Sequence, residues 1–176
     1  MSVRRYTAAV CVLFLVAAIW SPASVRADDL ARDIREADPR NEGVDFTIRT
    51  SWWDDDIGLD IDDVSFDKAM TDVQRVLFMA LERVADRDYD RFLLLYEGDA
   101  RFFLDGKTAR EIGKEYSWQN PIALMRKFLP ELQTTEGHKA YPRLNDSLLG
   151  GTMEAIENMK RFHRDWYLEA ELAESP

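Results

Sequence analysis

The stretch Ser65 to Asp105, SFDKAMTDVQRVLFMALERVADRDYDRFLLLYEGDARFFLD, decides how the rest of the chain is read. Phe66, Met70, Val73, Leu77, Leu81 and Val84 recur at spacings of three and four, which marks one face of a helix. Val76 to Leu81 adds an unbroken apolar run, so at mid-helix more than one side needs cover. A helix apolar on several sides belongs in a layered domain, against a sheet. Sheet-forming sequence follows directly: Phe92 to Tyr96, a turn at Glu97-Gly98-Asp99, then Arg101 to Leu104.

Working outward, Val44, Phe46, Ile48, Thr50 and Trp52 alternate with polar residues, the period of a strand with one buried face. Ile57, Leu59 and Ile61 repeat that alternation after three aspartates and mark a further short strand. Downstream, Thr108 and Glu111 have capping-box spacing, which predicts a helix over 109–117. Asn120-Pro121 caps a second short helix over 121–129, stopped by Pro130. Residues 131–151 have no clear period. A C-terminal helix is expected over 152–172.

The fold class is therefore α+β. A small, mainly antiparallel sheet, with strands near 44–53, 91–97 and 100–105, packs against a long central helix (65–86) and the C-terminal helix (152–172). Residues 44–176 form one domain, with 28–43 as a charged leader, frayed or disordered.

Residues 1–27 have the three parts of a cleaved signal peptide. Arg4 and Arg5 are the basic end, Ala8 to Trp20 the apolar run, and Val25-Arg26-Ala27 the small-residue cleavage site. Thirteen apolar residues fall short of the roughly 20 that cross a bilayer, which speaks against a retained anchor. Cys11 has Val at the position before it, so a lipoprotein cleavage there is disfavoured. The mature chain is expected to start at Asp28, periplasmic or secreted, with 149 of the 176 residues and no cysteine. Loss of three arginines and no acids takes the formal charge from −10 to −13. That charge disfavours phosphate-backbone and anionic-lipid binding as functions and suits a basic protein partner or simple solubility.

Asp54, Asp55, Asp56, Asp60, Asp62 and Asp63 place six carboxylates in ten residues. A calcium ion wants six to eight oxygens, so Asp56, Asp60 and Asp62 are its candidate ligands. The spacing fails the EF-hand pattern, however, with Ile61 where the turn glycine belongs when Asp56 is position 1. A solvated acidic turn is the simpler account, and no metal or cofactor is expected. Beside that turn, Trp53 suits stacking on a sugar ring or a cation, or packing beneath a helix. With Asp54, Asp55 and Asp56 it makes one candidate binding surface. Tyr116, Trp118 and Gln119, in the junction between two helices, make another.

His163 falls inside the apolar arc of the last helix, among Met159, Phe162, Trp166 and Tyr167. It is either a neutral core residue held by hydrogen bonds or a general base with a carboxylate such as Glu97 or Glu115. Only His138 joins it as a second histidine, which disfavours a multi-histidine metal site. The chain has no G-x-S-x-G, G-x-G-x-x-G, P-loop or H-E-x-x-H. The leading expectation is a non-catalytic accessory, inhibitor or immunity-type factor that binds another protein. The alternatives are a small-ligand or calcium module at the Trp53 and aspartate loop, and a small hydrolase using His163.

Overall fold

A computed structural model describes residues 22–50, 55–141 and 148–169. Among them the architecture is α+β, with five α-helices and a five-stranded mixed sheet in the order β1-β2-β3-β4-β5.

Strand β1 (Val44–Thr50) buries Val44, Phe46 and Ile48 and exposes Asp45, Thr47 and Arg49, as its alternation requires. It pairs antiparallel with β2 (Asp56–Val64), whose Ile57, Leu59 and Ile61 join the same core. The apolar helix of the opening stretch, α2 (Met70–Val84), then carries the chain across to β3 (Arg91–Tyr96), which lies parallel to β2. β3 returns antiparallel as β4 (Asp99–Asp105) through a two-residue turn. Glu97 at φ 50° and Gly98 at φ 87° give that turn the handedness a tight hairpin needs.

Helix α2 begins at Met70, not near residue 65. The Asp72 carboxylate accepts the Ala69 N–H at 2.9 Å and so closes the first turn. Phe66 fits the helical spacing but sits in the preceding turn, fully exposed. Residues 28–37, expected as either a short frayed helix or a disordered leader, are part of helix α1 (Pro22–Ala37). Leu30, Ala31 and Ile34 fall at spacings of one, three and four, and all three are buried in the common core. The burial of those apolar side chains orders a segment whose charge had suggested a loose leader.

Helix α3 (Gly106–Glu115) starts three residues earlier than Thr108 predicts, because the Asp105 carboxylate caps it by accepting the N–H groups of Lys107 and Thr108. Helix α4 (Pro121–Phe128) has the expected cap, with Asn120 Oδ1 accepting the Ile122 N–H at 2.8 Å. The periodless stretch holds a short edge strand, β5 (Gln133–Thr134), paired with β4. Helix α5 (Leu148–His163) runs on as a widened turn over Arg164–Leu168. Phe128, Phe162 and Trp166 meet at ring separations of 5.3 Å where α4, α5 and that turn close over the sheet. The buried Trp166 Nε1 donates to the Leu95 carbonyl at 2.8 Å, tying the last helix to β3.

Candidate functional site: a groove between three helices

Thr71, Gln74, Arg75 and Phe78 recur at helical spacing and form one stripe along α2. Facing it are Pro121, Ile122 and Met125 of α4, aimed by the Asn120 cap and by proline at the first helical position. Ala155, Ile156 and Met159 of α5 form the third wall. Together these side chains enclose an apolar cavity of about 200 Å³ that opens to solvent. At its mouth Ile122 is 47 % exposed.

A second cavity of about 280 Å³ adjoins the first through Thr71, Gln74 and Pro121. Its other walls are Arg40, Arg75, Phe78 and Tyr116, so the groove passes from an apolar lobe to a polar one. Arg75 is fixed there by Asp72 at 2.9 Å and by Asn41 Oδ1 at 2.9 Å. Arg40 closes on Asp38, and its hydrogen bonds hold the Asp38 carboxyl down to about 2. The Tyr116 ring stacks on Phe78 at 5.9 Å, and burial raises its hydroxyl pKa.

Gln74 stands at the joint of the two lobes. It is only 6 % exposed and lines both lobes. On the outer side of Ile122, Arg126 lines a shallow hollow with Asn120 and Ala123 and has no ion pair among the described residues.

Of the residues singled out in the sequence, Tyr116 reaches this groove. Trp118 lies outside it, 68 % exposed, with Nε1 donating to the Lys114 carbonyl. Gln119 turns its side-chain carbonyl to the Asn120 N–H at 3.0 Å. Glu115 takes Lys127 at 2.7 Å, and Glu97 sits exposed in the hairpin turn.

The aspartates do not gather at one point. Asp56, Asp60 and Asp62 alternate with Ile57, Leu59 and Ile61, so they occupy the sheet face opposite the helical core. Asp56 is held by the Arg91 guanidinium at 2.6 and 3.2 Å. Asp60, fully buried, accepts from Arg49 Nε at 2.6 Å and from the Gly98 N–H at 3.0 Å. Burial, with help from the Asp60 charge, raises the Asp62 carboxyl. Asp55 is exposed, and its carbonyl accepts the Asp90 N–H. Trp53 and Asp54 lie outside the described residues. Among the described residues no three His, Cys, Asp or Glu side chains converge as metal donors.

His163 is fully buried, as its place in the apolar arc predicts. The expected hydrogen bonds are missing, however: neither ring nitrogen has a partner among the described residues. Its ring touches Phe162 at 5.0 Å and Tyr167 at 5.7 Å, and burial pushes its pKa down to about 3. A neutral ring closed off from solvent has no route to a substrate in this arrangement.

Gln74, Ile122, Met125, Ile156, Met159 and Arg126 escape a reading of sequence alone. Their apolar members obey the same helical periods as core residues, and a period reports burial without reporting what does the burying. Compared with family models, curated proteins and solved structures, the chain matches none.

Proposed function

We propose that this chain is a non-catalytic, exported protein-binding factor, periplasmic or secreted, of the accessory, inhibitor or immunity type. The observation that carries the reading is the open apolar groove between α2, α4 and α5. Ile122 stands half in water at its mouth, and Met125 and Met159 stand within it. A chain with 32 % charged residues has ample polar sequence to cover such a surface, so leaving it open is a feature to explain. Methionine suits a docking surface because its unbranched thioether adapts to the shape presented to it. The formal charge of −10 favours a partner that is basic overall, through long-range attraction during encounter. The calcium reading draws no support from Asp56 and Asp60, whose carboxylates are already taken by Arg91 and Arg49.

The test is recovery of partners from the native source with the wild-type chain and with Ile122→Asp. A charge at a half-exposed rim position should leave the melting temperature nearly unchanged. The expected result is a protein retained by the wild type and lost from the variant. Equal retention by both would remove the groove as the docking face.

A further inference from the structure

We propose that the polar lobe, between the turn Pro39–Asn41, α2 and Tyr116, is a binding site for a small organic monocarboxylate. Arg75 and Arg40 grip its oxygens, and the Thr71 and Tyr116 hydroxyls complete the set of donors. The site is separate from the apolar lobe and does not rest on protein binding there.

Arg75 is fixed in the wall of the lobe. Its side chain is 12 % exposed, its Nε donates to Asn41 Oδ1 at 2.9 Å, and its Nη2 donates to Asp72 at 2.9 Å. Asn41, itself buried, is held by the 2.7 Å bond from its Nδ2 to the Ile34 carbonyl. Arg40 spends Nε and Nη2 on Asp38. In both guanidiniums Nη1 is left without a hydrogen bond to the described residues, and its N–H groups are spare donors. Burial raises the Tyr116 hydroxyl, so it stays an O–H donor, and the charges of Glu82, Arg75, Asp38 and Arg40 all reach it. Donors from the turn, from α2 and from the end of α3 thus meet at one cavity.

The charge balance selects the ligand. Asp38 and Asp72 offset Arg40 and Arg75, so the lobe has no surplus cation to hold a phosphate dianion in a chain of formal charge −10. The oxygens of both aspartates are also occupied. Asp38 accepts the Arg40 side chain and N–H, and Asp72 accepts Arg75 and the Ala69 N–H. Donors therefore outnumber acceptors in the lobe. A carboxylate brings one charge and a plane of strong acceptor oxygens, the shape a guanidinium matches. A neutral carbonyl meets the same donors with bonds of about half the strength.

Size bounds the rest of the molecule. At about 280 Å³ the lobe exceeds the roughly 150 Å³ that takes a benzene ring and falls just below the roughly 300–1,000 Å³ of drug-sized sites. It suits an acid with one small ring or a branched aliphatic body. Phe78 and Pro121 give that body an apolar wall, and the Tyr116 ring, stacked on Phe78 at 5.9 Å, extends it.

Benzoate is the first probe, titrated into the full chain while the Thr71 methyl and Tyr116 ring resonances are followed. Both should shift saturably, with a Kd on the order of 1 mM, as befits a small ligand. Benzamide, its neutral counterpart, and phenyl phosphate should each bind about fivefold more weakly. Acetyl-Gly-Phe with a free carboxylate presents the same group at a chain end and should bind no tighter than benzoate. Arg40→Gln, at a side chain 72 % exposed, leaves the fold intact and should weaken benzoate about fivefold. Arg75→Lys keeps a cation beside Asp72 but loses the fork, and should weaken benzoate about tenfold. Where Arg75→Lys does not fold, Arg40→Gln decides alone. Equal affinity for benzoate and benzamide, or unchanged benzoate binding in Arg40→Gln, would overturn the site. Tighter binding of phenyl phosphate or of the peptide acid would overturn its assignment to a small monocarboxylate.

Discussion

His163 lies between Phe162 and Tyr167 with both ring nitrogens unpartnered among the described residues, which gives stability a definite pH dependence. Its folded pKa of about 3 is below the ordinary 6.5, so the unfolded chain binds the extra proton first. The contribution is constant above pH 6.5 and declines as pH falls toward 3, by about 1.4 kcal/mol per unit. Many carboxylates also begin to titrate below pH 5, so the clean window is pH 6.5 to 5. We expect His163→Leu to flatten the stability curve there in denaturant melts. It should also stabilise the neutral protein, by up to about 1 kcal/mol, because an orphaned polar ring gives way to an apolar side chain. A variant as pH-dependent as the wild type would mean that the ring is hydrated or hydrogen-bonded.

Arg49 and Asp60 form the second residue-scale test, because water reaches only one of them. The Arg49 side chain is 55 % exposed and the Asp60 side chain not at all. Removing Asp60 leaves a guanidinium that water can solvate, and removing Arg49 strands a buried carboxylate. Arg49→Leu should therefore cost about 2–3 kcal/mol and Asp60→Leu about 1–2 kcal/mol, both reduced from the fully buried case by the exposure of Arg49. Equal losses in urea melts would contradict that order. His163's burial was legible, because helical period alone places it. Asp60's was not: a run of aspartates reads as a solvated turn until cross-strand neighbours put Arg49 against it.

Elements were legible where local chemistry settles them. The alternation of β1, the Glu97-Gly98 hairpin and the Asn120-Pro121 start of α4 each combine a period with turn or cap residues, and each stands as predicted. Starts and ends set by tertiary contact were not legible. Phe66 has the right spacing for α2 but no surface to meet, and Gly150-Gly151, poor helix residues, lie inside α5. The parallel pairing of β2 with β3 is also invisible locally, since only the crossover through α2 creates it. Crowding between elements gives the next prediction. A Cβ on Gly113 of α3 would stand 2.3 Å from the Leu81 carbonyl oxygen of α2. Alanine is the better helix former by about 1 kcal/mol, yet the clash is with backbone that cannot rotate away. Gly113→Ala should therefore destabilise by about 2–4 kcal/mol in chemical melts. A neutral or stabilising result would mean that α2 and α3 do not approach so closely.

For the molecule as a whole, the sequence distinguishes core from surface but not a filled core from a groove. Met125 and Met159 keep the same helical period whether a residue of this chain or of another fills the gap before them. Export bears on the same scale, because it decides which chain does the folding. Cleavage after Ala27 would divide α1 (Pro22–Ala37), yet Leu30, Ala31 and Ile34 all follow the cut and keep their places in the core. The chain starting at Asp28 should thus fold without residues 1–27, and Ile34→Ala in it should cost about 2–5 kcal/mol through the cavity left behind. Cys11 is the one cysteine of the sequence and lies before the cut, so this chain should melt identically with and without reductant. Intact mass of the protein from its native source is the deciding measurement. A mass that begins at Asp28 supports export with cleavage. One that retains Met1 would overturn it, and the partner would then have to be sought on the side of the membrane where the chain is made.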